Sequence, residues 1–255
     1  MMTELITLGK ALNHGLRRSL ENDNKVVIMG EDVGKLGGVF RITDGLQKDF
    51  GEQRVIDTPL AEAGIVGTAV GLAIRGYRPV CEIQFDGFVF PAYNQIVAQV
   101  AKMFYRSRGQ VRLPIVIRIP FGGGIGAVEH HSESPEAYFA HTPGLKVVTC
   151  SNPADAYSMI QQAIASDDPI VFFEPKRRYW EKGEVDLDAT PSGAYPLHSA
   201  RVAREGTDAT LIAYGPMVRT ALDAATAAAE DGRNLEVIDL RSLSPIDYPA
   251  LYASV

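Results

Sequence analysis

The chain has 255 residues, 46 % hydrophobic and 22 % charged, enough apolar content for a full core in one large domain or two unequal ones. Its 25 basic and 31 acidic residues give a net charge of -6, a mild balance without clustered Lys and Arg that argues against a nucleic-acid surface. No apolar run approaches the ~18 residues a membrane span needs, and the first twenty residues lack the unbroken apolar stretch of a signal peptide.

Leu8, Leu12, Leu16 and Leu20 recur every four residues and predict an amphipathic helix. A short apolar strand, Lys25 to Met29, follows and runs into Gly30-Glu-Asp32. A helix is expected over about 62–75, although Gly64, Gly67 and Gly71 each cost it roughly 1 kcal/mol against Ala. Such a cost points to a close neighbouring helix or a ligand. Strand 79–83, helix 91–104, strands 113–119 and 146–149, helix 153–166 and strand 170–173 complete a first block, 1–175. Cys81 and Cys150, far apart in this block, form no disulfide framework or metal spacing and read as reduced thiols of a cytoplasmic protein.

Residues 176–200 carry Pro, Gly and charge without periodicity and read as a linker. A second α/β block, 201–255, offers strand 209–214, helix 218–230 and strand 235–239. Two strands rarely make an independent domain, so this block reads as truncated at Val255 or as completed by another chain. The expected class is α/β, with a parallel sheet covered by helices on both faces. Ligands in such sheets bind beyond the carboxyl ends of the strands, which here means Glu31, the Phe85–Phe88 segment and the loop Pro120–His131.

Glu62 closes Asp57-Thr-Pro-Leu-Ala-Glu62 at a helix start. One reading is an acidic first-turn residue favoured by the helix dipole; the other is a buried carboxylate able to share a proton with a ligand nitrogen. His131 follows the glycine-rich run Phe121 to Gly126. It reads either as a solvent-facing loop residue or as a histidine that transfers protons near neutral pH. No third ligand at helical spacing supports a metal site, and the Lys-Ser/Thr of a phosphate loop is missing. The aromatic residues of 85–90 are core residues or a platform for a flat heterocycle. His14 and His198 have no supporting context. There is no Gly-x-Gly-x-x-Gly after a strand, hence no dinucleotide fingerprint, and no Gly-Asp-Gly.

Six stretches, Met29-Gly-Glu-Asp-Val33, Gly37-Gly-Val-Phe-Arg41, Asp57-Thr-Pro-Leu-Ala-Glu62, Glu82-Ile-Gln-Phe85, His131-Ser-Glu-Ser-Pro-Glu136 and His141-Thr-Pro-Gly-Leu-Lys146, occur in order. Together they make the whole chain resemble the beta subunit of the decarboxylating component of 2-oxo acid dehydrogenase complexes. The resemblance implies a thiamine diphosphate-binding pyrimidine domain followed by the start of a transketolase C-terminal-like domain; such beta subunits continue well past Val255. It implies thiamine diphosphate shared with an alpha subunit that holds the diphosphate and magnesium, in keeping with the missing Gly-Asp-Gly. Two alpha and two beta chains, and a dihydrolipoyl acyltransferase, are the implied partners.

By matched position, Glu62 would hydrogen-bond the pyrimidine ring nitrogen, Phe88 would stack on the ring, and Leu60 and Gln84 would line its pocket. Glu31 would be a second acid near the cofactor, and His131 would assist substrate binding and acyl transfer to lipoamide. A potassium ion held by backbone carbonyls of Ile115, Ala163 and Asp168 is implied by some members. Gly37-Gly-Val-Phe-Arg41 and Ser134-Pro-Glu-Ala137 fit the branched-chain members best; pyruvate and acetoin dehydrogenase beta subunits are the alternatives. A non-catalytic module that only pairs with a partner is the reading from another class.

Overall fold

Strand β1 (Thr3–Thr7) opens the chain as seen in a computed structural model that describes residues 3–191 and 195–254. Helix α1 (Leu8–Asn22) follows, capped by the Thr7 side chain, which accepts from the Lys10 N–H. Its four leucines are all buried, as their spacing predicts. The first block continues with β2 (Val26–Gly30), α2 (Leu46–Phe50), β3 (Val55–Asp57), α3 (Glu62–Ile74), β4 (Arg78–Glu82), α4 (Met103–Arg106) and β5 (Val116–Phe121). Then come α5 (Glu136–Ala140), β6 (Lys146–Thr149), α6 (Pro153–Ala165) and β7 (Ile170–Pro175). After β7 lie β8 (Lys182–Asp186), β9 (Arg201–Arg204), β10 (Ala209–Ala213), α7 (Met217–Glu230), β11 (Leu235–Asp239), β12 (Ser242–Ser244) and α8 (Tyr248–Ser254).

Seven strands form the main sheet in the order β12-β6-β7-β5-β4-β2-β3. All neighbours are parallel except β12, which runs antiparallel to β6. Side chains alternate along each strand, so Val116 and Phe172 point into one core with α1 and α6. Ile117, Val171 and Phe173 point into the other with α3 and the 86–101 segment. Both faces are therefore covered, the condition under which a parallel sheet is stable.

The expected helix over 91–104 is broken into three pieces. A 3₁₀ turn spans Asp86–Ala92, a π-helical turn Gln95–Val100, and α4 only four residues. Pro91 inside the first piece has no N–H to donate, which interrupts a regular ladder there. The presumed linker 176–200 is also more ordered than its composition suggests. Residues 176–178 form a 3₁₀ turn around a fully buried Lys176, and β8 pairs antiparallel with β1.

In the second block β9, β10 and β11 form their own sheet in the order β10-β11-β9, while β12 leaves it to join the edge of the main sheet. Arg241, fully buried just before β12, secures this crossing. Its guanidinium donates to Asp155 at the start of α6 and to the carbonyls of Pro196 and Ser199. Val255, where the second block was expected to stop short, lies outside the described residues. No helix of the described residues is long and apolar enough to cross a membrane.

Helices α1 and α6 meet at Gly15, where a Cβ would collide with Ile160 Cγ2 and lie 3.0 Å from the Tyr157 carbonyl. Gly15→Ala gains ~1 kcal/mol of helix propensity but overpacks a rigid contact at about 1–3 kcal/mol. We expect a lower urea midpoint; an unchanged or higher one would show that the helices can separate freely.

Candidate active site

Four parallel strands end at one edge, and each releases its chain there. Gly30 at the end of β2 lies opposite Asp57 of β3 and Glu82 of β4, and Glu82 lies opposite Arg118 of β5. The segments that follow are Glu31-Asp32, Thr58–Ala61, Ile83–Phe88 and the long arm 122–135. The Thr58 N–H donates to the Gly30 carbonyl at 2.9 Å, which turns the chain after β3 back across the edge. Pro59, Leu60 and Ala61 follow, and α3 starts on Glu62.

Glu62 is only 7 % exposed. Glu31 is half-buried beside it, and its carboxyl is pushed above the ordinary range, first by burial and then by the charges of Asp32 and Glu62. The structure thus brings the two predicted acids together. Gln84 approaches the same group, its amide 3.5 Å from an Asp32 carboxylate oxygen. Leu60 is different: it is 67 % exposed.

Phe88 and His131 meet directly. The His131 ring lies edge-on to Phe85 at 4.4 Å and to Phe88 at 5.2 Å between centroids. The two histidines sit on a 3₁₀ turn, Glu129–His131, that rests on the Asp86–Ala92 turn. Gly87 makes the contact possible, since a Cβ there would lie 2.8 Å from His130 Cα. The Gly122 N–H donates to the Glu133 carbonyl at 2.8 Å and closes the base of the arm. His131 Nδ1 and Thr58 Oγ1 are both buried and have no hydrogen-bond partner among the described residues. Buried polar atoms are normally satisfied, so this edge suits a ligand with polar atoms and a flat ring.

Sequence reasoning missed the residues beneath the site. Arg118 is fully buried, donating to Glu174 at 2.6 and 2.9 Å and to Glu82 at 2.6 Å. Tyr179 donates to Glu174 at 2.6 Å. Burial pushes the Glu82 carboxyl up, although Arg118 opposes the shift. Gly38, at φ +78°, brings its backbone against the Glu82 carboxylate, a conformation that favours glycine. Phe40 extends the aromatic set, 5.4 Å from Phe85 and 6.4 Å from the exposed ring of Trp180. A pattern of Glu82, Arg118 and Glu174 inside apolar strands was the available signal: charges in such strands have to find each other.

The carbonyls named for potassium lie near the opposite edge. Ile115 accepts from the Ile170 N–H, Ala163 from the Ser166 N–H and Asp168 from the Ser166 hydroxyl, so each is already engaged within the chain. Among the described residues no three His, Cys, Asp or Glu gather as a metal site. His198 shares a contact with Ser242 away from this edge, and burial depresses its pKa to about 4. His14 is likewise lowered, chiefly by burial.

Arg118→Met leaves Glu82 and Glu174 buried without a counter-charge and is expected to cost about 3–5 kcal/mol of unfolding free energy. A loss below about 1 kcal/mol, the scale of a surface pair, would contradict this. Glu31 supplies a pH signature. Its raised carboxyl binds a proton more tightly folded than unfolded, so its contribution to stability falls as pH rises from about 4.3, the ordinary value. Glu31→Gln removes that fall, and the urea midpoint difference should move in the variant's favour across this window; a pH-independent difference would sink the assignment.

Residues 4–181 match the transketolase pyrimidine-binding domain, and residues 198–255 the transketolase C-terminal domain. The pyruvate dehydrogenase E1 component subunit beta of Leifsonia xyli subsp. xyli is 66 % identical over 246 residues, 96 % of this chain and 72 % of its own length. The 3-methyl-2-oxobutanoate dehydrogenase subunit beta of Mycobacterium tuberculosis is 51 % identical over 255 residues, all of this chain and 72 % of its own length. A solved structure titled "Split gene transketolase, inactive beta4 tetramer" has the same fold, with a TM-score of 0.77 over 98 % of this chain and 76 % of that one, at 23 % identity. Two domain matches in order, on a chain this similar to the curated relatives, establish that it belongs to the beta subunits of the E1 component of 2-oxo acid dehydrogenases.

Proposed function

We propose that this chain supplies the aminopyrimidine-holding half of a thiamine diphosphate-dependent 2-oxo acid dehydrogenase site. An alpha subunit supplies the diphosphate and magnesium side, and a dihydrolipoyl acyltransferase takes up the acyl group. The observation that carries this reading is the single strand edge that bears both the Glu31–Glu62 pair and the Phe88–His131 pair, with two buried polar atoms, Thr58 Oγ1 and His131 Nδ1, that lack a partner among the described residues.

When bound, thiamine diphosphate supplies the electron sink for cleavage of the bond to the carboxylate. The protein's part is orientation and proton control. Glu62, buried on the first turn of α3, holds the ring nitrogen of the aminopyrimidine and exchanges a proton there. Glu31, whose carboxyl is raised by burial and by the neighbouring charges of Asp32 and Glu62, stands as a second acid beside Glu62. Phe88 offers a face to the pyrimidine. His131, whose Nδ1 has no partner among the described residues, can hydrogen-bond substrate or acyl group. Phe85 and Phe88 keep water from the ring.

The need for a second chain has its own support. Gly64, Gly67 and Gly71 line the open side of α3, and among the described residues nothing comes within 4 Å of a Cβ at Gly71. Leu60 and Ile74 are exposed at the two ends of that side. The helix carries glycine's cost with no packing reason inside the chain, which fits a partner packed against it.

For the acyl chain we propose a branched-chain 2-oxo acid. The motifs Gly37-Gly-Val-Phe-Arg41 and Ser134-Pro-Glu-Ala137, and a relative named for 3-methyl-2-oxobutanoate aligned over all 255 residues, support it. Pyruvate is the second reading, favoured by the 66 % identical relative. Reconstitution with the alpha subunit, thiamine diphosphate and magnesium compares the two substrates directly; a higher kcat/KM for pyruvate reverses the choice. In the same assay Glu62→Gln is expected to lower kcat by about 10²–10⁴. Unchanged turnover would return the chain to the class of non-catalytic partners.

A further inference from the structure

Asp86 and Lys176 form an ion pair at 2.8 Å, and both side chains are fully buried. As a stabiliser this is a poor arrangement. Burial pushes the Asp86 carboxyl up and the Lys176 ammonium down, and apolar residues of similar volume often do as well or better. Its location is more informative than its energy. Asp86 begins the 3₁₀ turn that holds Phe88, directly after Phe85. Those two rings flank His131, and Gly87 between them carries the backbone of His130.

Lys176 reaches the arm from the other side. Its ammonium is attracted to Glu133 on the returning limb and lies 5.9 Å from the Phe85 ring centre. Its neighbour Arg177 packs on the arm at Gly124, where a Cβ would lie 2.7 Å from Arg177 Cδ. Beyond the arm, Glu136 faces Asp86 and is held by the Tyr214 hydroxyl. The charged groups around the pair are thus Glu133 and Glu136, both on the arm or at its root.

We propose that the Asp86–Lys176 pair positions the His131 arm, residues 122–135, so that both are positioning residues for the reaction rather than general stabilisers of the sheet. One charge fixes the turn beneath the arm and the other holds its returning limb. The histidine is then set by two anchored surfaces instead of by a free glycine-rich loop. This rests on the assignment of His131 to the reaction.

The test uses the reconstituted alpha–beta enzyme carrying Asp86→Asn together with Lys176→Met, which removes both charges and leaves neither stranded. Hydrogen–deuterium exchange over 122–135 is expected to quicken while exchange in α1 and α6 does not change. In the same preparation kcat/KM for the 2-oxo acid should fall about a hundredfold, the scale of an ångström's misplacement. Arg78→Met, which cuts the bonds to Ile164, Ser166 and Asp167 at the opposite edge, should leave arm exchange unaltered; quickening there too would mark general loosening and overturn the proposal. So would unchanged arm exchange in the double variant. Should that variant fail to assemble, Glu133→Gln asks the same question from the arm, with quickened exchange expected and an unchanged rate overturning the proposal. Exchange does not depend on turnover. An inactive wild-type enzyme with a loosened variant arm would refute the functional assignment while leaving the structural link intact.

Discussion

Arg118 is enclosed on all sides by protein, and its charge is balanced by Glu82 and Glu174. These three residues come from adjacent strands β4, β5 and β7. Their mutual attraction fixes those strands side by side at the end where function is placed. Tyr179 ties in the segment after β7, and Gly38 brings the loop after β2 against the Glu82 carboxylate. Two carboxyls share one guanidinium here. Burial pushes Glu82 up in response, and Arg118 is held firmly in its charged form. The polar floor lies beneath an upper layer of aromatic rings, Phe40, Phe85 and Phe88, in which His131 sits.

A second buried network joins the two blocks. Asp239 at the end of β11 accepts from Ser151 and lies 3.4 Å from Arg201, while Arg241 reaches α6 and the 196–199 connection. Tyr214, just after β10, holds Glu136 at the root of the arm. The second block therefore reaches the root of the arm through a side-chain contact and joins the main sheet through β12.

Most of the main sheet was legible in the sequence because its strands are short apolar runs and helix α1 shows a clear stripe. The four leucines of α1 have one physical solution. The acids and the histidine of the candidate site stand in family motifs, and the carboxyl-edge rule pointed to Glu31, the Phe85–Phe88 segment and the loop that carries His131. What escaped detection has a common cause. β1, β8 and β9 are four or five residues long with half-exposed faces, so their composition resembles loop. β3 and β12 have three residues each, too few for any period to register. The break in the 86–106 segment depends on Pro91 and on how the turns fit the core, which a pattern of apolar residues does not encode. The pair Asp86–Lys176 lies 90 positions apart in sequence; nothing local links the two.

Those two three-residue strands also bound the main sheet, β3 at one end and β12 at the other. An open sheet edge is a row of unused N–H and C=O groups that can recruit another chain. Here the longer β2 and β6 are kept inside by their short neighbours. Strand β12 thus doubles as a guard against edge-to-edge polymerisation, and its loss would expose β6 as a template for aggregation.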